Sequence, residues 1–249
     1  MIAEELRALG LPAGAIVVVH TSYRAVGPVD GGPAALIDAL GEAVGRDGTL
    51  VMPSMSDDDD MPFDVARTPC RGMGVVADRF WRRAGVVRSD HYASFAAMGP
   101  LAAAITAPHA PEPPHGLDSP VGRAAALGGF VLLLGVDHSA NTTVHAAEAI
   151  ARVPYRARKH YTVARDGALV RVPYEETDHC CQRFAQLDQW LRARGLQREG
   201  TVGRGAARLV RGSDVLRVAV EALARDRFAF LHARGDGCEE CDAAWASVA

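Results

Sequence analysis

Short apolar segments that alternate with helical patterns are the feature that most constrains the fold of this chain. Ile16 to Val19 consists of β-branched residues, and Phe130 to Val136 is almost wholly apolar. Both runs are short for helices and predict strands buried on both faces, and residues 48–53 predict another strand. A helical pattern with Leu36 and Leu40 on one side follows the first run. Strands that alternate with helices predict an α/β fold.

The second half of the chain predicts a hairpin and further helices. Within Tyr161 to Tyr174, two strand-like runs are joined by Asp166-Gly167, a pair that favours a two-residue turn. Residues 107–120 are rich in proline and predict a rigid extended loop. The remaining predicted elements are helices at 182–194 and 215–224 and a terminal strand from Phe228 to Leu231.

Composition and charge exclude several classes of protein. The sequence is 49% hydrophobic with a net charge of −3, so it can bury a sizeable core and lacks the basic excess of nucleic-acid-binding proteins. No apolar run approaches the roughly 18 residues of a membrane helix, and residues 1–7 lack the pattern of a signal peptide. We therefore expect a cytoplasmic protein with neither a nucleic-acid nor a membrane partner.

A glycine-bearing loop from Thr21 to Pro33 joins the first strand to the following helix. Such a loop can direct backbone N–H groups at an anion, and Ser22 and Arg24 can add a hydroxyl and a guanidinium. The pattern is neither a P-loop nor a dinucleotide fingerprint. A phosphate site and a plain strand-to-helix connection are both consistent with it.

His145 and Glu148 follow the strand at 130–136 after a short loop. Asn141 or Thr142 can cap a helix there, which puts His145 in the first helical turn with Glu148 on the same face. A neutral histidine in this position can accept a proton. The spacing alone also fits a structural histidine beside a surface glutamate.

Acidic residues cluster in two places. Asp57 to Asp60 follow the second strand, and Glu175, Glu176 and Asp178 follow the hairpin. Neighbouring carboxylates repel one another, so each cluster requires solvent, a metal ion or a cationic ligand.

The cysteines suggest a metal site. Cys238 and Cys241 have the spacing of a zinc knuckle, and His179, Cys180 and Cys181 offer further ligands for a structural zinc. A redox pair or free thiols are the alternatives. Cys70 stands alone in a loop.

Several segments, taken together and in order, resemble the aminoglycoside 3-N-acetyltransferase family, the antibiotic N-acetyltransferases that lack the GNAT fold. The resemblance covers essentially the whole chain. It extends to the type IV, apramycin-modifying branch through Asp178-His179-Cys180-Cys181 and Gly237 to Asp242. The family-wide segments are Val19 to Gly27, Gly48 to Pro53, Ser94 to Gly99, Ser119 to Val121, Leu133 to Val136 and Thr143 to Glu148.

The resemblance implies a three-layer α/β fold with a central mixed sheet and flanking helices. It implies one domain over residues 1–249, with a substrate-binding hairpin and helical region at about 155–200 and a cysteine-containing tail at about 232–249. It also implies direct transfer of acetyl from acetyl-coenzyme A to the 3-amino group of the 2-deoxystreptamine ring of an aminoglycoside of the apramycin, gentamicin and tobramycin class. That activity gives antibiotic resistance.

The resemblance also assigns roles to residues. His145 is the expected general base, oriented by Glu148 or Asp178, and the hydroxyls of Thr21, Ser22 or Thr143 or backbone N–H groups are expected to stabilise the oxyanion. The expected substrate contacts are Asp59, Asp60, Glu176 and Asp178. The expected contacts with acetyl-coenzyme A are Thr21, Ser22, Arg24, Ala25, Val26, Gly27, Ser94, Phe95, Ser119 and Val121.

Other functions remain open on the sequence alone. The same scaffold can acetylate a different amine, the acidic runs can support a metal-dependent hydrolase, and the cysteines can support a zinc-stabilised binding protein without catalysis. The hydrolase lacks a metalloenzyme spacing such as His-Glu-x-x-His. We expect the chain to be a monomer or a homodimer.

Overall fold

A computed structural model describes residues 1–177 and 179–248. The strands are β1 (Ile16–Thr21), β2 (Thr49–Pro53), β3 (Val87–Arg88), β4 (Phe95–Met98), β5 (Phe130–Leu134), β6 (Ala157–Arg165), β7 (Ala168–Glu176), β8 (Gln197–Val202) and β9 (Gly205–Arg211). The α-helices are α1 (Ile2–Ala8), α2 (Tyr23–Val26), α3 (Gly32–Val44), α4 (Val75–Trp81), α5 (Ala102–Ile105), α6 (Pro120–Ala126), α7 (Thr143–Ala151), α8 (Gln186–Arg192), α9 (Gly212–Arg225) and α10 (Glu239–Ala246). Short 3-10 helices span His138–Ala140 and Gln182–Ala185.

A seven-stranded mixed sheet forms the centre of the fold, in the order β3-β4-β2-β1-β5-β9-β8. β1 pairs in parallel with both β2 and β5, whereas β4 and β9 extend the sheet antiparallel on either side. The predicted α/β class and its mixed central sheet are confirmed. The carboxyl ends of β1, β2 and β5 therefore lie at one edge of the sheet.

Both faces of the sheet are buried, because the central strands are apolar at successive positions. Val17 and Val19 pack with α1, α3 and α4 on one face. Ile16 and Val18 pack on the other face with residues of α5 and α6, and Leu133 packs there with α7, α8 and α9. These layers explain why the strands read as unbroken apolar runs rather than as an alternation.

The predicted hairpin forms a separate two-stranded sheet, β6–β7. Asp166 and Gly167 both have positive φ, 51° and 78°, as a type I′ turn requires. Thr162 Oγ1 donates to the Asp59 backbone carbonyl at 2.6 Å, so the hairpin holds the acidic loop that follows β2.

Two predicted elements differ from the structure. Phe228 to Leu231 form turns rather than a strand, because the amides of Ala229 and Leu231 bond back to Asp226 and Phe228. Their apolar side chains serve the core instead, where Phe230 is fully buried. The helix predicted at 182–194 begins as a 3-10 turn and becomes α-helical only at Gln186. Among the described residues, no helix combines the length and the apolar character needed to cross a membrane.

Candidate active site

A cavity of about 1030 Å³ opens at the carboxyl ends of β1, β2 and β5. This is the edge at which α/β folds generally place ligand sites. Loops that leave these strands line the cavity, and the hairpin β6–β7 contributes further side chains. The polar lining includes Thr21, Ser22, Arg24, Asp59, Asn141, His145, Lys159, Tyr174, Glu176 and Cys181.

His145 enters the cavity from the first turn of α7, as its spacing predicts. Asn141 Oδ1 accepts the backbone N–H of Thr143 at 3.1 Å and so stabilises the start of the helix. His145 Nδ1 contacts Glu148 Oε2 at 2.7 Å, one helical turn away. The rings of Phe184 and His115 lie 5.1 and 5.7 Å from the imidazole, centre to centre.

Glu148 is fully buried and has several hydrogen-bond partners. The hydroxyl of Tyr155 donates to Oε1 at 2.6 Å, and His179 Nε2 lies 3.0 Å from the same oxygen. Thr177 Oγ1 donates to Oε2 at 3.4 Å. His179 Nδ1 accepts the backbone N–H of Cys181, so Nε2 carries the proton that bonds to Glu148.

These contacts fix the protonation states of the pair. Burial alone lowers the pKa of His145, but the Cys181 sulfur and the Glu148 carboxylate outweigh burial and hold this pKa well above 6.5. Burial alone raises the pKa of Glu148, but His145 and His179 lower it to about 2. Both shifts favour an imidazolium beside a carboxylate, so His145 must lose a proton before it can act as a base.

The other imidazole nitrogen of His145 faces the sulfur of Cys181. Cys181 Sγ lies 3.4 Å from His145 Nε2 and 3.0 Å from the carbonyl oxygen of His179. Cys181 has a positive φ of 57°, which costs a non-glycine residue about 1–3 kcal/mol and is common at functional sites. Cys181 also lines the cavity, so its sulfur is part of the candidate site.

The hairpin and the acidic loop supply the charged wall of the cavity. Glu176 Oε1 accepts the Tyr174 hydroxyl at 3.1 Å and pairs with Lys159 Nζ at 2.9 Å. Burial raises the pKa of Asp59, whereas the nearby charge of Lys159 opposes that increase. Asp60 instead lies outside the cavity, where it pairs with Arg171 at 2.7 Å and with His160 at 3.2 Å.

The remaining cysteines form a cluster behind the site. Cys180 Sγ and Cys241 Sγ are 3.5 Å apart and unbonded covalently. Ligand atoms of Cys180, His232 and Cys238 lie within 4.8 Å of one another, and so do those of His179, Cys180 and Cys241. Cys70 is buried elsewhere, and burial raises the pKa of its thiol to about 12.

The sequence profile of the aminoglycoside 3-N-acetyltransferase family matches residues 18–224. Aminoglycoside N(3)-acetyltransferase IV of Salmonella sp. is 51% identical over 229 residues, which cover 92% of this chain and 88% of that protein. The chain belongs to the aminoglycoside 3-N-acetyltransferase family. It is accordingly an acyltransferase.

Solved structures of family members superpose closely on this fold. A mutant of aminoglycoside acetyltransferase AAC(3)-IVa in complex with a gentamicin has a TM-score of 0.96 at 51% identity, covering 99% of this chain and 95% of that one. Its complex with apramycin has a TM-score of 0.90 at 48% identity, covering 96% of each chain. AAC-IIIb bound to CoASH has a TM-score of 0.80 at 28% identity, covering 90% of this chain and 95% of that one.

The residues that family resemblance assigns to the cofactor fall into two groups. Thr21, Ser22 and Arg24 line the cavity, whereas Ala25, Val26 and Gly27 do not. The other four are buried outside the cavity. Ser94 bonds to Ser54 and Ser89, Ser119 caps α6, and Phe95 and Val121 belong to one core cluster.

The residues assigned to catalysis, substrate and metal divide in a similar way. His145, Glu148, Asp59 and Glu176 meet at or beside the cavity, whereas Asp178 lies outside the described residues. Among the predicted metal ligands, Cys181 faces His145 and His179 faces Glu148. Sequence reasoning missed Tyr155, Lys159 and His232. A lone aromatic or basic residue carries no spacing signal, and the fold alone brings Tyr155 and Lys159 to the site and His232 to the cysteine cluster.

We expect Glu148→Gln to change the pH dependence of this family member. The substitution removes the negative charge that supports the His145 imidazolium, so the pKa of His145 falls. Since the base form appears as pH rises through that pKa, the rising limb of kcat/KM should move to lower pH and the plateau should drop. NMR titration of the His145 ring measures the pKa directly.

Glu221→Gln is the matched control, because Glu221 pairs with Arg194 and Arg217 on the surface. An unmoved His145 pKa in Glu148→Gln would show that the carboxylate does not set the protonation of the base.

Proposed function

We propose that this chain transfers the acetyl group of acetyl-coenzyme A directly to the 3-amino group of the 2-deoxystreptamine ring of aminoglycosides, with His145 as the general base, and thereby confers antibiotic resistance. The observation that carries the proposal is the His145–Glu148 pair, 2.7 Å apart, in a large cavity that also contains Asp59 and Glu176. The base provides the chemistry, and the carboxylates suit a cationic acceptor.

His145 Nε2 is the atom that takes the proton. Nδ1 is held by Glu148, which fixes the ring and stabilises the imidazolium that forms. Once Nε2 has lost its proton to solvent, the neutral acceptor amine attacks the thioester carbonyl and gives a proton to Nε2, and the tetrahedral intermediate then expels the coenzyme A thiolate, which takes up that proton. Cys181 Sγ lies 3.4 Å from Nε2, so the amine must reach Nε2 beside this sulfur.

The oxyanion of that intermediate requires hydrogen-bond donors. Thr21 Oγ1 is buried beside the cavity, and within the described residues it has no hydrogen-bond partner. Ser22 Oγ already accepts the backbone N–H of Ala25 as a helix cap, and Thr143 lies outside the lining. These contacts favour Thr21 among the three predicted hydroxyls.

Acetyl-coenzyme A supplies the acetyl thioester, and the loop after β1 fits its charged groups. Arg24 lines the cavity and, among the described residues, forms no ion pair or hydrogen bond, so its guanidinium can bind a phosphate. Ser22, the N-cap of α2, lies two residues before Arg24. The CoASH complex of AAC-IIIb, a family member of the same fold, supports acetyl-coenzyme A as the cosubstrate.

The hairpin wall fits the aminoglycoside. An aminoglycoside presents several ammonium groups, and Asp59 and Glu176 can form charge-assisted hydrogen bonds with them. Asp60 holds the hairpin through Arg171, so its role is to position Asp59 rather than to contact substrate. We infer apramycin, gentamicin and related compounds as the substrate class, supported by the complexes of AAC(3)-IVa.

We further propose a structural zinc held by Cys180, Cys238, Cys241 and His232. Three thiols and one imidazole are a common structural zinc set. His232 fits better than His179, because both ring nitrogens of His179 are engaged, whereas His232 Nε2 is buried and has no partner among the described residues. The free cysteines suit a reducing compartment, which supports a cytoplasmic location.

The first test is an acetyl-coenzyme A assay across an aminoglycoside panel, with mass spectrometry to locate the acetyl group. His145→Ala should lower kcat by about 10²- to 10⁴-fold because no base remains. His160→Gln, at a partly exposed histidine of the hairpin that does not line the cavity, should stay within a few fold. A His145→Ala enzyme of near-normal rate and normal melting temperature would remove the base assignment.

Direct transfer predicts that Cys181→Ala keeps turnover within about tenfold, because no step requires a thiol. Initial rates should show intersecting rather than parallel lines as both substrates are varied. Cys181, His145 and Glu148 place a thiol, an imidazole and a carboxylate in a row. This arrangement also suits a covalent route in which Cys181 carries the acetyl group. Parallel lines, together with an acetyl group mapped to Cys181, would establish that route instead.

Elemental analysis should find about one zinc per chain. Cys238→Ser and His232→Ala should lower both zinc content and melting temperature, because each removes a ligand, whereas Cys70→Ala should retain the metal. His179→Ala should retain zinc and lose activity. Zinc loss in His179→Ala but not in His232→Ala would reverse the choice of histidine.

A further inference from the structure

Lys159 is the only lysine in the chain, although the sequence contains 27 lysine and arginine residues. It lies in β6 opposite Tyr174 of β7, and its side chain lines the cavity. The charged head therefore projects into the site in which the proposed function places an aminoglycoside. All the other residues in that count are arginines, which carry a guanidinium group.

The Lys159 ammonium lies among acidic groups. Nζ is 2.9 Å from Glu176 Oε1, and the Glu176 side chain is only 8% exposed. Its charge also acts on Asp59, the other acidic group proposed to contact substrate. The Lys159 side chain itself is one-third exposed and reaches the carboxylates from the hairpin. An ammonium of the chain itself thus offsets part of the negative charge of this wall.

The choice of lysine has a chemical consequence. A lysine head is a compact alkylammonium on a flexible stem, whereas arginine grips a carboxylate with a planar fork. Asp60, outside the cavity, is paired with an arginine, Arg171. Lysine presents to Glu176 the same primary ammonium group that an aminoglycoside carries. It is therefore a group that a substrate ammonium can replace one for one.

We propose that Lys159 is a resident ammonium that occupies a cation subsite formed by Asp59 and Glu176 in the empty enzyme and that an aminoglycoside ammonium displaces. This deepens the proposed function and rests on it. Lys159 compensates the charge of Glu176, the more buried of the two carboxylates. When the substrate binds, its ammonium replaces Lys159 as the partner of Glu176, so one ion pair exchanges for another. The subsite therefore adds less affinity than its charge indicates. It favours substrates that make further contacts elsewhere in the cavity.

Binding of apramycin, measured by calorimetry at low ionic strength, tests the exchange. Lys159→Met removes the competitor while keeping the length of the side chain, so Kd should fall by roughly three- to tenfold, and the difference should shrink as salt is added. Lys159→Arg, which keeps the charge, should not gain affinity. Equal or weaker binding by Lys159→Met would overturn the proposal.

A second measurement needs no substitution. Enzyme made with isotope-labelled lysine has a single lysine side-chain signal in NMR, and saturating apramycin should shift it to the position of a solvent-exposed ammonium. Glu176→Gln should move the same signal in that direction without ligand. An unchanged signal in an enzyme that binds apramycin overturns the exchange alone. If the calorimetry detects no binding, the aminoglycoside function itself fails.

Discussion

Glu148 carries a negative charge with no exposed surface, and such a charge is expensive to bury unless its oxygens are hydrogen-bonded. Here Tyr155 and His179 bond to one oxygen, while His145 and Thr177 bond to the other. These partners come from α7, from the segment after it and from the segment after β7. The Glu148 carboxylate thus connects His145, the proposed base, to the segment that follows the hairpin.

The sheet determines where that carboxylate can act. Because β1 and β5 are parallel neighbours, the loop after each strand reaches the same edge, and α7 starts there. The hairpin is held over this edge by Thr162 and by the pairing of Arg171 with Asp60. The fold therefore separates two tasks: the sheet edge carries the proposed proton-transfer pair, and the hairpin carries the charges that suit a cationic acceptor.

What the sequence could predict depended on how local each signal is. β1, α3 and the Asp166-Gly167 turn follow from periodicity and turn chemistry within a few residues, and His145 and Glu148 are one helical turn apart. Tyr155, Lys159 and His232 carry no such pattern, since tertiary contacts bring them to their partners. Residues 228–231 have the composition of a strand, but they form turns. Phe230 is nevertheless fully buried, because a side chain can pack into the core without being part of a strand.

Electrostatic compensation links the site and the cysteine cluster. His179 and Cys181, on either side of Cys180, contact Glu148 and His145 respectively. Any ligand that fixes Cys180 therefore constrains both ends of the proposed catalytic pair, so the proposed zinc would be coupled to the geometry of the base through three consecutive residues. The same logic applies on the hairpin, where Lys159 compensates Glu176 until a substrate cation arrives. In both places, a buried carboxylate is paired with a cationic side chain of the same chain.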